Sequence, residues 1–423
     1  MSYSRREFLK AGSASVALVA AGGCATKPGG GPKVVVIGGG YGGATAAKYI
    51  RMWSDGKVDV TLVERDGEFV SCPLSNLVIG GSRALADITV SYSGLDKWGI
   101  RRVRDEAIAI DPAARTVKLA GGTTLPYDRL VLSPGVDFIW EQLPSLNNAA
   151  AQAKVLHAWK AGPQTVALRR QLEAMPDGGV FVMHIPKAPY RCPPGPYERS
   201  CQVALYLSTQ KKKSKVILLD ANEDVQSKKG LFMAAWHGRY KGYVEYRPNS
   251  ALVDVDVATL TAKLDFDSVK ADVLNVIPPQ HAGAIARQLG MANANARFCQ
   301  VDFLTYESTA QQRIHILGDA IQTAPLMPKS GHMANQHAKV CASAVAALLA
   351  GQEINPSPLF ANACYSYIDD KEVAHVASVH AYDREKKTMI VVPGSGGLSS
   401  APTAQEGIYA EAWARNIWAD MLM

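Results

Sequence analysis

Lys33-Val34-Val35-Val36-Ile37 is an unbroken β-branched run that stops at glycine, the pattern of a parallel strand buried on both faces. Ala44 to Arg51 reads as a helix, and Val58-Asp59-Val60-Thr61-Leu62-Val63 as a second strand that ends at Glu64. The three segments make a βαβ unit with glycines at its first turn. A second α/β unit is predicted from 151 to 270, with strands at Val180-Phe181-Val182-Met183 and Lys215-Val216-Ile217-Leu218-Leu219-Asp220. Near the C-terminus, Ile390-Val391-Val392 reads as a strand and Ala410 to Met421 as a helix.

The first turn carries Gly38-x-Gly40-x-x-Gly43. Gly38 permits a tight turn, Gly40 lets a pyrophosphate approach the backbone, and Gly43 lets helix and strand pack closely. The helix N-terminus then offers unpaired N–H groups to phosphate. Glu64 follows Gly43 by 21 residues, where an acid accepts hydrogen bonds from ribose hydroxyls. These features alone fit NAD or FAD. Tyr127-Asp128-Arg129-Leu130-Val131-Leu132-Ser133-Pro134-Gly135 resembles the segment by which two-dinucleotide flavoproteins return to their FAD domain. Ile314-His315-Ile316-Leu317-Gly318-Asp319-Ala320 resembles their second FAD motif, with Asp319 aimed at the ribitol. Met327-Pro328-Lys329-Ser330-Gly331 then opens a helix, with Pro328 suited to a first turn. The three motifs in this order point to FAD.

In the second unit, a nicotinamide domain would repeat the glycine fingerprint. The chain instead reads Ile185-Pro186-Lys187-Ala188-Pro189-Tyr190-Arg191-Cys192-Pro193-Pro194-Gly195-Pro196-Tyr197-Glu198. Prolines lack the N–H groups that cradle a pyrophosphate, so the expected electron donor is a small molecule that reaches the flavin directly.

Composition limits the alternatives. The 423 residues are 48% hydrophobic and 20% charged, which suits a multi-domain globular chain. The net charge is +7, and four basic groups with one acid lie in the first 31 residues. The remainder is too mildly basic to indicate nucleic acid. The first 31 residues read as a twin-arginine signal and linker: Ser4-Arg5-Arg6-Glu7-Phe8-Leu9-Lys10, then the apolar run Ala11 to Ala21. This predicts a periplasmic protein; Gly22-Gly23-Cys24 offers lipid anchoring at Cys24 as the alternative. No later stretch has the length of a transmembrane helix.

The seven cysteines, at 24, 72, 192, 201, 299, 341 and 364, contain no Cys-x-x-Cys pair, no haem-attachment motif and no zinc spacing, so no metal site is expected. With the glycine loop and Ala44-Thr45-Ala46-Ala47-Lys48-Tyr49-Ile50, the chain carries Cys72-Pro73-Leu74-Ser75-Asn76-Leu77-Val78-Ile79-Gly80-Gly81, Arg191 to Glu198, Met327 to Gly331 and Asn362-Ala363-Cys364-Tyr365-Ser366. Together these resemble the flavoprotein subunit of flavocytochrome c sulfide dehydrogenase, a family related to sulfide:quinone reductases.

The resemblance implies an α/β fold of two Rossmann-like dinucleotide-binding domains, glutathione-reductase-like, plus a small C-terminal α+β domain. The FAD domain would comprise 32–150 and 271–345, interrupted by an NAD-like domain at 151–270, with the C-terminal domain at 346–423. It also implies FAD bound covalently through Cys72, although Pro73 stands where some members have Tyr. Cys192 and Cys364 would form a redox disulfide at which sulfide is oxidised, with a structural disulfide as the competing role. Glu198 is the candidate acid/base, weighed evenly against a helix N-terminal acid. Lys329 would place charge near the flavin pyrimidine ring. Trp413 would pack in the core or cover the pocket, and His332 and His337 read as packing or surface residues. Electrons would pass to a cytochrome c subunit on a separate chain. The alternatives are a sulfide:quinone reductase-like enzyme and an electron-relay partner in a sulfur-oxidising complex. The amphipathic stretch Glu411 to Met423 is short for a membrane-facing end.

Overall fold

The computed structural model describes residues 30–423. The twin arginines Arg5 and Arg6, and Cys24, lie outside the described residues.

Two parallel sheets organise the chain. In the first, strand Lys33–Ile37 lies between Asp59–Val63 and Arg129–Leu132, with Arg101–Val103 and Ile314–Ile316 at the edges. Val34, Val35 and Val36 are buried, as expected for an apolar run covered on both faces. The crossover helix spans Tyr41–Trp53, starting three residues before the predicted Ala44. It packs against the helix Gly331–Ala350, and its Gly42 and Gly43 leave little space for a Cβ.

The second sheet has the order Val244–Arg247, Lys215–Asp220, Val180–Ile185, Val273–Val276, all parallel. Its last strand lies past residue 270, so this unit reaches at least to Val276. Helix Gly195–Gln210 joins the first two of its strands in sequence, repeating the βαβ plan of the first unit. An antiparallel meander, Leu252–Asp256, Thr261–Leu264 and Ser268–Lys270, fills the return.

The C-terminal unit is an antiparallel sheet of Leu359–Tyr367, Val373–Asp383 and Thr388–Val391, with a short strand Gly397–Leu398. The last helix begins at Ala404, where Thr403 Oγ1 accepts the Glu406 N–H at 3.1 Å, and runs to Leu422. Ala410, Ala414, Ile417, Trp418, Met421 and Leu422 all turn into the chain's own core. The apolar face of the stretch 411–423 is therefore already covered. Among the described residues, no helix is long and apolar enough to cross a membrane.

Candidate active site

A cavity of about 620 Å³ runs between the three units, within the size range of cofactor sites. At one end, the glycine loop shapes it. Gly38 has φ +95°, and a Cβ there would lie 2.4 Å from the Ser133 carbonyl oxygen. A Cβ on Gly43 would lie 1.8 Å from the Gly38 carbonyl oxygen. At Gly40 a Cβ would meet nothing within 4 Å, because this position faces the cavity at the helix N-terminus. Glu64 Oε2 accepts the Gly39 N–H at 2.5 Å, and its other oxygen accepts the Asp66 N–H at 2.9 Å. Gly135, at φ +66°, lines the same wall.

Asp319 also lines the cavity, and its buried Oδ1 has no protein partner. A buried carboxylate oxygen without a donor costs free energy unless a ligand supplies one. The backbone cradle, Glu64 and this orphaned acceptor fit the pyrophosphate and polyol of FAD. Lys329 lines the same cavity. Its ammonium donates to the carbonyls of Asp319, at 3.0 Å, and of Ile321, and sits 3.7 Å from the centre of the Phe298 ring. Burial lowers its pKa to about 7. Lys329 thus borders the cavity while its charge is turned into the protein.

The other end of the cavity is built around sulfur. Of the six described cysteines, Cys201, Cys299 and Cys341 are buried, whereas Cys72, Cys192 and Cys364 are half-buried and line this one cavity. All are thiols in the structure. Cys72 precedes the short helix Ser75–Gly80; its sulfur accepts N–H groups from Arg191 at 3.0 Å and from Ala161 at 3.5 Å. Arg191 also donates to the Trp159 carbonyl.

Cys192 sits in the proline-rich loop with φ +54°, a strained conformation for a residue with a Cβ. It is held from both sides: its N–H donates to the Lys329 carbonyl and its carbonyl accepts from Gly195, both at 2.8 Å. Gly195 is needed there, because a Cβ would lie 2.9 Å from the Cys192 sulfur. Burial pushes the Cys192 thiol up to about 12, with Glu198 and Cys364 adding to the rise and Arg191 and Lys228 opposing it. Cys364 arrives on the C-terminal strand, where Asn362 Nδ2 lies 3.5 Å from its sulfur and Asn362 Oδ1 accepts from Ser330 at 3.0 Å.

Glu198 lies in the first turn of helix Gly195–Gln210, buried rather than displayed at the surface. Burial raises its carboxyl to about 7, although hydrogen bonds from Asn76 and from Ser366 and Tyr367, and the charge of Lys228, pull the other way. Asn76 Nδ2 donates to Glu198 Oε1 at 3.1 Å, and Asn76 Oδ1 accepts from Arg199 Nε at 3.0 Å. Trp413 borders the cavity with its buried indole N–H unpartnered. His332 lines it too, with Nδ1 accepting the Ala363 N–H at 3.0 Å, while His337 is buried against Met327.

Sequence reasoning missed Asn76, Arg199, Trp159 and Lys228. Arg199 and Lys228 are both buried, with Arg199 spread over the carbonyls of His157 and Ala158, Asn76 and Asn275. A buried cation of this kind is rare, but nothing in the local sequence separates it from a surface charge.

Residues 165–278 match the model of the central domain of the flavoprotein chain of sulfide dehydrogenase [flavocytochrome c], and residues 356–422 match the flavin-binding model of flavocytochrome c sulphide dehydrogenase. Residues 32–172 match the pyridine nucleotide-disulphide oxidoreductase model. A mitochondrial sulfide:quinone oxidoreductase of Dictyostelium discoideum is 22% identical over 66% of this chain, which spans 63% of that relative's length. The sulfide:quinone oxidoreductase of Aquifex aeolicus superposes with a TM-score of 0.75 at 18% identity, over 92% of this chain and 91% of that one. An NAD-dependent persulfide reductase from A. fulgidus gives 0.61 at 17% identity, over 92% and 77%. These likenesses show the two-dinucleotide fold, and the flavin-binding and pyridine nucleotide-disulphide oxidoreductase models support FAD as the cofactor. Two separate segments of the chain thus match models of one family, the flavocytochrome c sulfide dehydrogenase flavoproteins.

Proposed function

We propose that this protein is a flavocytochrome c sulfide dehydrogenase flavoprotein that oxidises sulfide at Cys192 and Cys364 and delivers the electrons through FAD to a cytochrome c subunit. The observation that carries the reading is the sorting of the six described cysteines: three line the flavin cavity beside a buried carboxyl whose pKa is about 7, and three are sequestered in the core.

Gly38, Gly40, Gly43, Glu64, Gly135 and Asp319 would hold FAD, with Lys329 bracing the wall behind Asp319 and Cys72 as the site of a thioether to the flavin. The Arg191 guanidinium at 3.0 Å places positive charge on the Cys72 sulfur, and the thiolate is the nucleophilic form. FAD, when bound, supplies a two-electron acceptor and passes electrons on singly. In the oxidised protein Cys192 and Cys364 would be joined as a disulfide. Hydrosulfide attacks one sulfur; the new S–S bond makes a cysteine persulfide, and the broken one leaves its electron pair on the other cysteine as thiolate. Glu198, poised near neutrality, takes the proton from the incoming sulfide. Asn76 orients it, and Trp413 and Tyr365 cover the cavity.

The second unit supports a donor other than a nicotinamide. Asp220 ends its second strand, the place Glu64 takes in the first. Its oxygens are occupied by the hydroxyls of Tyr197 at 2.8 Å and Tyr246 at 3.1 Å and by Asn222. A ribose would find that acid already bonded.

The similarity to sulfide:quinone oxidoreductases favours quinone as the competing acceptor, although the last helix spends its apolar face on the core. Sulfide-driven reduction of a c-type cytochrome by the purified flavin-loaded chain is the expected result. Reduction of a quinone analogue alone would reverse the choice, and inactivity toward both would favour an electron-relay role in a larger complex. Mass spectrometry of the Cys72 peptide after acid denaturation should show added flavin mass; an unmodified peptide removes the thioether. Export by the twin-arginine route to the periplasm belongs to the same reading, and replacing Arg5 and Arg6 with Lys should retain the protein in the cytoplasm.

A further inference from the structure

Adjacent positions on a helix do not face each other, yet Glu198 and Arg199 are both buried and one amide joins them. Asn76 Oδ1 accepts from Arg199 Nε at 3.0 Å. Asn76 Nδ2 donates to Glu198 Oε1 at 3.1 Å and to the Gly195 carbonyl at 3.0 Å. A guanidinium only donates and a carbonyl only accepts. The amide therefore has one orientation, with its oxygen on Arg199 and its N–H groups on Gly195 and Glu198.

The other hydrogen bonds of Arg199 go to the carbonyls of His157 at 3.0 Å and Ala158 at 2.7 Å and to Asn275 Oδ1 at 2.9 Å. All four acceptors are neutral, and burying a cation without an anion is costly. Burial lowers the pKa of Arg199 to about 9, against the pull of Cys192 and Glu198, so the guanidinium is still charged at neutral pH. Asn275 donates onward only to the carbonyls of Leu156 and His157. Asn76 alone leads from Arg199 to an acid. The remaining titratable groups that act on or with Glu198 are Cys201 on its own helix, Cys192 in the loop before it, Tyr367 on the C-terminal strand, and Lys228 in the turn before the helix Lys229–His237. Burial lowers the pKa of Lys228, and its ammonium donates to Ser366 Oγ at 2.9 Å.

We propose that Arg199 is a positioning residue for Glu198: the guanidinium fixes and polarises the Asn76 amide, and the amide N–H holds Glu198 in the ionised form that takes a proton from the incoming substrate. An N–H bond to a carboxylate is about twice as strong as one to a neutral acid, so the bridge favours the ionised form. What the carboxylate then does rests on the sulfide reading above. In that step a proton leaves hydrogen sulfide for Glu198, hydrosulfide remains, and no electron moves. The bridge itself, from Arg199 through Asn76 to Glu198, is a property of the protein without substrate.

The test follows the carbonyl band of protonated Glu198 by infrared difference spectroscopy, in flavin-loaded protein with isotope-labelled glutamate carboxyls, from about pH 5 to about pH 9. The band is assigned by its absence in Glu198→Gln. Arg199→Met moves the midpoint up from about 7 by at least about one unit, the scale of a lost charge-assisted bond. In an Asn76→Ala background, which raises the midpoint by itself, Arg199→Met adds less than about half of that shift. An unmoved or lowered midpoint in Arg199→Met overturns the proposal. So does an equal shift with and without Asn76, which would assign the effect to charge alone. Should Arg199→Met not fold, Arg199→Gln, which is neutral and keeps an amide for the buried carbonyls, must raise the midpoint; an unmoved one overturns the proposal. No sulfide is present in this assay. If the midpoints move as described but sulfide does not bleach the parent's flavin, the bridge stands and the sulfide reading falls.

Discussion

The loop at Gly38 and the loop at Cys192 occupy the same place in two copies of one βαβ plan, between the first strand of a parallel sheet and its crossover helix. The first is glycine and keeps its backbone bare: Gly38 is left-handed, Gly40 opens on the cavity, and Glu64 at the end of the next strand stays beside them. The second is proline and carries side-chain chemistry: Cys192 takes the strained backbone, Glu198 takes the first helical turn, and Asp220 is used up by tyrosines. One plan yields a phosphate cradle where N–H groups are left free, and a sulfur site where prolines remove them and a cysteine replaces the ligand. The second loop is also tied to the segment that opens the helix Gly331–Ala350, because Cys192 N–H donates to the carbonyl of Lys329.

The comparison breaks most completely at Gly43. Gly43→Val puts side-chain carbon into the Gly38 carbonyl; overpacking of about 1–3 kcal/mol or more is expected there, with purified protein that lacks the flavin absorbance. The next effect falls on the second loop. Glu198→Gln should lower kcat/KM for sulfide about 100-fold, the scale of one general acid/base, and erase the limb of the pH profile near 7. The same substitution has a sign in stability. Because the folded-state pKa is raised from 4.5 to about 7, the neutral carboxyl stabilises the fold below about 4.5, and that contribution is lost as pH rises through about 7. At 1.36 kcal/mol per pH unit, the loss is about 3 kcal/mol across that window. Denaturant titrations should show the parent losing stability over this range relative to Glu198→Gln.

The two strand-end acids sharpen the contrast at smaller scale. In a Cys72→Ser background, where no thioether can hold the flavin, Glu64→Gln should weaken FAD binding about tenfold, the value of one charge-assisted hydrogen bond, read by flavin release on dilution. Asp220→Asn should leave flavin content unchanged and instead lower unfolding free energy by about 1–3 kcal/mol, since it disturbs the buried Tyr197 and Tyr246 hydroxyls.

The first loop was nearly complete in the sequence. Its function lies in backbone conformation, which glycine spacing encodes locally, and Glu64 and Asp319 follow from strand ends. The second was legible only in its cysteines, its prolines and Glu198. Asn76, Arg199 and Lys228 act through contacts with residues far away in the chain, and a lysine among polar neighbours carries no local mark of burial. Lys329 was placed near the flavin by its motif, but which way its ammonium turns was decided by the carbonyls of Asp319 and Ile321 and by the Phe298 ring.

The central claim is that the sulfur loop, and not a hydride donor, feeds the flavin. Anaerobic mixing of flavin-loaded protein with sulfide, followed by visible absorbance, tests it most directly in the parent, in Cys192→Ser and in Cys201→Ser. Cys201 lies in the core of the adjoining helix and serves as the control. The account predicts rapid bleaching in the parent and in Cys201→Ser, and a rate at least about 1,000-fold lower in Cys192→Ser, the scale of losing a covalent nucleophilic route. Bleaching of Cys192→Ser at the parent's rate would contradict it.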